Sequence, residues 1–368
     1  MSGRRFPFHA RIAILAVLWP LLASGCASVA RWNDAARLLV AVSGEQDSEP
    51  SPAPTEVRFG ASGRGYRADL YLPSRQQRAA LVLVHGFTSQ GKADPRLRRF
   101  AHALARAGFR VLVPEIESLT RFEAGTQNTR AIRDSLDYLA KRRGPAAGLG
   151  VAAISYSVGP ALLAALESRE VDFMLGVGGY YDLIEAISFA TTGYYRLQGE
   201  PRYREPPAAG RWLLLLGHAG QLPAQDRRLL RRIAQLKLEN PQADVAFLRQ
   251  GLSRDGKAAY ALAANRDPRR VPELVEQLPA SMQRQIDALD PSRRDLSAFE
   301  ACLVLIHGED DPMIPPSHSI ALAEAVPPER ATLFIVGGIS HIDVQPGWRD
   351  AFSLWRATVA LLKAADGC

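Results

Sequence analysis

The sequence predicts an α/β fold: a mainly parallel sheet flanked by helices, with a helical cap inserted between late sheet strands. Three observations predict it. From Thr55 to Gly179, short apolar runs alternate with amphipathic stretches. Across 180–297 the alternation lapses into helix-like segments only, and from 298 to 368 it resumes. The apolar runs AALVLV and LGVAAI are continuous, as in strands covered on both faces.

Taken in order, EVRFGAS and YRADLYLP read as two strands joined by the turn SGRG. AALVLVHGF is a buried strand. DPRLRRFAHALARAGF is a helix with Asp94 as N-cap, Pro95 at its first position and Gly108 as its stop. RVLVPEI is the next strand. TRAIRDSLDYLAKRRG places Ile132, Leu136 and Leu139 on one helical face. LGVAAIS, VGPALLAALESRE and VDFMLGVGG follow as strand, helix and strand. The cap segment, rich in Leu, Ala, Arg and Gln, holds RWLLLLGHAGQL, LPAQDRRLLRRIAQLKL, DVAFLRQGL and PELVEQLPASMQRQIDAL as short helices, without convincing strands. Strand ACLVLIHG, a helix from Ser317, strand ATLFIVGG and a helix from Trp348 complete the chain.

The 368 residues are 47% hydrophobic, a content that excludes a disordered chain. The net charge of +7 is largely arginine, but no nucleic-acid motif accompanies it, so no nucleic-acid partner is expected. The Arg227, Arg228, Arg231, Arg232 run reads as a solvated helix face. Three cysteines, Cys26, Cys302 and Cys368, make no disulfide framework, and Cys302 in its apolar run reads as a small buried hydrophobe. No H-E-x-x-H, paired CxxC or glycine-rich phosphate loop appears, so no metal and no cofactor are expected.

At the N-terminus, Arg4, Arg5 and Arg11 precede an apolar run from Ile12 to Ala23, then small residues: the order of an export signal. The run is shorter than the ~20 residues of a spanning helix and contains Pro20. Leu22-Ala23-Ser24-Gly25-Cys26 resembles a bacterial lipobox. That resemblance implies a signal peptide over 1–25, lipidation at Cys26 and, with Ala27 next, an exported protein anchored in the outer membrane. Val29, Trp32, Ala36, Leu39 and Val40 recur at helical spacing, and SGEQDSEPSPAPTE has a linker's composition; 26–54 is expected as a tether.

In AAISYSVGPALLA, a serine stands where a strand turns into a helix. Such a turn projects a hydroxyl above the sheet edge, and the pattern S-x-S-x-G, with Gly159 two residues on, points to Ser157. Ser155 then reads as a small buried neighbour inside the strand. A serine nucleophile needs a base, and His341, in the loop after the last strand, is the histidine placed to lean over the sheet edge. The imidazole needs a carboxylate, which LVLIHGEDDPMIP supplies, in the order Ser, Asp, His. His85 and His307, each ending a strand before a glycine, read as structural.

His85-Gly86-Phe87, S-x-S-x-G, H-G-E-D-D-P-M-I-P and G-G-I-S-H together resemble the α/β-hydrolase superfamily from Thr55 to the end, the cap excepted. The resemblance implies a core of 55–179 and 298–368 with a cap of 180–297. It aligns Asp311 with the family's acid, Asp310 being the alternative, and implies backbone N–H groups of Phe87 and Val158 as the oxyanion hole. The expected protein is a serine hydrolase cleaving a carboxylic ester or thioester of a small or lipid-like acyl substrate through an acyl-enzyme. The same triad would serve an acyltransferase or a peptidase. A reading of another class is an inactive hydrolase fold used as an envelope binding or scaffold protein.

Overall fold

The computed structural model describes residues 26–43, 53–61, 63–144, 147–340, 343–344 and 348–367. Side chains at 26–28, 43, 339–340, 343–344 and 348–349 lie outside that description. Eight strands form the main sheet: β1 (Thr55–Ala61), β2 (Arg64–Tyr71), β3 (Ala79–Val84), β4 (Phe109–Pro114), β5 (Gly148–Ile154), β6 (Phe173–Val177), β9 (Cys302–Gly308) and β10 (Ala331–Val336). Their spatial order is β1-β2-β4-β3-β5-β6-β9-β10. The β1/β2 and β2/β4 pairs are antiparallel, and every pair from β4 to β10 is parallel.

Alternation along β3 divides the core into two layers. Val82 and Val84 face Ile132, Leu136 and Leu139 of α3 (Thr126–Ala140) and Leu162 of α4 (Val158–Glu167). Leu81 and Leu83 face Leu97 and Leu104 of α2 (Pro95–Arg106) and Leu361 of the last helix (Trp348–Asp366). Removing both faces from water contributes about 1.5–3 kcal/mol per large side chain. The α2 cap forms as expected: Asp94 accepts a hydrogen bond from the Arg96 N–H at 2.9 Å, Pro95 opens the helix, and Gly108 has φ +97°.

The helical spacing in the first part of the tether corresponds to a helix, α1 (Cys26–Ser43), packed on the domain. Trp32 meets Trp355 edge-on at 5.8 Å, and Asp34 accepts from Arg75 at 2.7 Å and Arg78 at 2.9 Å. Residues 44–52 are outside the described set. No helix among the described residues is long and apolar enough to cross a membrane.

Between β6 and β9, the cap contains α5 (Leu183–Thr192), α6 (Ala208–His218), α7 (Ala224–Glu239), α8 (Ala246–Gln250), α9 (Arg254–Ala264), α10 (Val271–Glu276) and α11 (Ala280–Leu289). It also holds a hairpin the sequence reading missed: β7 (Tyr194–Leu197) pairs with β8 (Glu200–Tyr203). The two turn residues, Gln198 and Gly199, have φ +54° and +81°. A two-residue turn of this type requires that pair of left-handed positions, ordinarily marked by Asn-Gly; Gln at the first position hid the signal. Trp212, Leu230, Ile233 and Ile286 join the cap to the α3/α4 layer.

Inside the cap, His218 is buried with neither ring nitrogen hydrogen-bonded to any described residue. Burial pushes its pKa down to about 4. The unfolded chain therefore takes up a proton near pH 6.5 that the folded one refuses until about pH 4. Stability falls through that window as pH drops, by about 3 kcal/mol for this one group. In urea melts from pH 7 to pH 4, the His218→Leu protein is expected to lack this component of the acid slope.

Candidate active site

The sequence reading placed the turn at Ser157; the structure places it two residues earlier. Strand β5 ends at Ile154, and Ser155 has φ +57°, a left-handed conformation that costs a side-chain-bearing residue energy. A single 3₁₀ turn over Ser155–Ser157 then leads into α4. Ser155 is half-buried and lines a cavity of about 650 Å³. Ser157 is fully buried, and its hydroxyl donates to the carbonyl of His85 at 2.6 Å, tying the start of α4 to the end of β3. It is absent from the cavity wall.

The strand-to-helix turn brings Gly86 against Ser155. A Cβ on Gly86 would stand 3.1 Å from both the Ile154 carbonyl and the Ser155 Cβ, so the β3 loop approaches the serine as closely as backbone allows. Phe87 follows, its ring stacked on Tyr156 at 4.2 Å. The Val158 N–H, expected as an oxyanion donor, is engaged within the turn, donating to the Ser155 carbonyl. The residue directly after the strained serine is Tyr156.

Gly159 is required for another reason than strand–helix crowding. A Cβ there would meet the Tyr180 ring at 2.3 Å, and Tyr180 in turn donates to the Leu289 carbonyl at the end of α11 at 2.9 Å. Gly159→Ala is expected to overpack this core–cap junction and lower stability by about 1–3 kcal/mol in chemical denaturation.

The two acid candidates are separated by their surroundings. Asp310 is 83% exposed at its side chain and pairs with Arg204, just beyond β8, at 3.0 Å. Asp311 is fully buried, and its Oδ1 accepts from the N–H groups of Met313 (2.8 Å) and Ile314 (3.0 Å). Its Oδ2 lies 3.6 Å from His307 Nε2. His307 is itself held by Ser319 Oγ at 2.6 Å and by the Ile314 carbonyl at 2.8 Å, the structural role expected for it. His318, packed nearby, is pushed down to about pKa 3 by burial and then by His307. His85 also is depressed by burial, its Nδ1 2.8 Å from the Gly86 carbonyl. His341 lies outside the described residues, as does the Cys26 side chain.

The cavity measures about 650 Å³ and is largely apolar. Besides Ser155, it is bounded by Gly86, Phe87, Tyr156, Tyr180 and Met313. Cys302, expected as a small buried hydrophobe, is half-buried and disulfide-bonded.

No protein-family model matches the chain, nor does any curated protein. Among solved structures, it superposes on the α/β hydrolase GrgF from Penicillium sp. sh18 with a TM-score of 0.50 at 16% identity, covering 85% of this chain and 99% of that one. Est1E from Butyrivibrio proteoclasticus superposes with 0.45 at 15% identity, over 84% and 98%. An acylaminoacyl peptidase complexed with Z-Gly-Gly-Phe-chloromethyl ketone gives 0.47 at 12% identity over 82% of this chain, which spans only 40% of the peptidase. The sheet order, its mostly parallel strands and the GrgF superposition establish the α/β-hydrolase fold.

Proposed function

We propose that the protein is a serine hydrolase cleaving carboxylic esters, with Ser155 rather than Ser157 as nucleophile. The observation that carries this reading is the strained Ser155, set at the end of β5 beside Gly86 and facing an apolar cavity. Strain of this kind persists only where surrounding structure enforces it, and it holds the hydroxyl out of the helix.

In the proposed reaction, Ser155 Oγ attacks the ester carbonyl carbon while its proton passes to His341. The N–H groups of Phe87 and Tyr156, the latter in place of Val158, receive the developing oxyanion. The C–O bond to the alcohol breaks, and His341 returns the proton to the leaving oxygen. Water, deprotonated by His341, then attacks the acyl-enzyme and releases the acid and Ser155. Asp311 holds the imidazole tautomer and stabilises its cation. The test quantifies both products of ester cleavage in the presence of an excess alcohol acceptor. A hydrolase releases acid and alcohol in equal amounts; a shortfall of acid matched by new ester would reassign the chain as an acyltransferase.

The expected export and lipid anchor belong to the same proposal. The bonded Cys302 supports an oxidising compartment, since such bonds are rare where thiols are kept reduced. Cys26→Ser is expected to release the protein from membranes in fractionated cells, and unchanged retention would discard Cys26 as the anchor.

A further inference from the structure

The cavity beside Ser155 touches both hydrophobic layers. On one side Tyr156, Tyr180 and Leu183 belong to the layer continuous with the cap core. On the other, Leu38, Leu97 and Leu361 belong to the layer beneath α1, α2 and the last helix. Ser155 sits at the C-terminal sheet edge between them. A site for a short ester needs one apolar pocket; this cavity takes its apolar lining from both layers, and the part lined by each layer is termed a lobe.

Resting on the reading that Ser155 is acylated, we propose that the substrate carries hydrocarbon on both sides of the scissile carbonyl. It is a lipid ester whose acyl chain and alcohol each occupy one lobe. The volume of about 650 Å³ suits such a molecule, lying within the ~300–1,000 Å³ of sites that enclose ligands of this size. Two of the polar side chains on the wall are already engaged, Tyr180 donating to the Leu289 carbonyl at 2.9 Å and Thr358 to the Leu354 carbonyl at 2.9 Å, while His85 Nε2 has no hydrogen-bond partner among the described residues; the rest of the wall is largely apolar. A peptide in these lobes would desolvate an N–H and a C=O per residue, each unmatched group weakening binding roughly fivefold or more. Each methylene buried strengthens binding about fourfold. Hydrocarbon therefore outcompetes peptide in both directions from Ser155.

The experiment measures kcat/KM for two ester series: methyl esters of lengthening acids and acetates of lengthening alcohols. Both are expected to rise severalfold per methylene. Ala190→Trp, in the cap lobe, is expected to lower the long-to-short ratio about tenfold in one series, and Ala357→Trp, in the other lobe, in the other series. Because both alanines are buried, Leu39→Lys serves as a second variant; Leu39 is half-exposed on α1, and the change should affect the same series as Ala357→Trp. A flat response in either series, or both lobes acting on one series, overturns the two-lobe assignment. Short-ester cleavage that depends on Ser155 but shows no chain-length gain would leave the hydrolase reading standing and sink only this inference. Cleavage that survives Ser155→Ala sinks both.

Discussion

Ser155→Ala is expected to lower ester hydrolysis by at least about 10⁴-fold, whereas Ser157→Ala keeps the rate within about tenfold of the parent. The two hydroxyls are two residues apart yet occupy different environments. Ser155 borders the cavity at a strained turn, where an attacking oxygen can reach a bound carbonyl. Ser157 is sealed from it, with its proton committed to the His85 carbonyl at 2.6 Å. Removing the Ser157 hydroxyl leaves that carbonyl short of a buried donor, so the expected cost is about 1–2 kcal/mol of stability, read in denaturant melts. The His85 carbonyl belongs to the loop that carries Phe87, and any modest loss of rate in Ser157→Ala would come through slackening of that loop.

Asp311→Asn is expected to reduce kcat about 10³–10⁴-fold, while Asp310→Asn changes it less than about threefold. The amide is nearly isosteric and its oxygen can still accept from the Met313 and Ile314 N–H groups, so the loop after β9 should keep its shape. What changes is the other atom: an NH₂ donates where a carboxylate oxygen accepts, and the imidazole is held in the wrong tautomer. Asp310 lies in solvent against Arg204, where an ion pair contributes about 1 kcal/mol or less. Steady-state kinetics on both variants, with melts to show that each is folded, separates the two carboxylates.

The sheet was legible because its strands are continuous apolar runs and its helices amphipathic, and both patterns follow from burial alone. The turn after β9 was legible in H-G-E-D-D-P-M-I-P, where the Met313 and Ile314 N–H groups fold back on the Asp311 carboxylate. The position of the strand-to-helix turn was less legible, and it differs from the expected one by one alternation. In A-I-S-Y-S-V-G, small residues flank Ser155 at Ala153 and Ser157 as they flank Ser157 at Ser155 and Gly159. Only the point where β5 stops, set by its pairing with β6 up to Ile154 and Val177, decides the frame. The same shift makes Tyr156, rather than Val158, the residue that follows the serine at the turn. The packing of α1 depends on Asp34 meeting Arg75 and Arg78 from a distant loop, a contact no local pattern announces. Likewise the bond at Cys302 depends on where distant chain segments meet.

The most direct measurement is the position of a covalent adduct. The protein is treated with a fluorophosphonate, digested, and the peptide spanning 152–164 sequenced by tandem mass spectrometry. The account predicts a single phosphonyl adduct on Ser155, absent from Ser155→Ala and retained in Ser157→Ala. An adduct on Ser157, or a folded protein that takes up no adduct while cleaving esters, would contradict it.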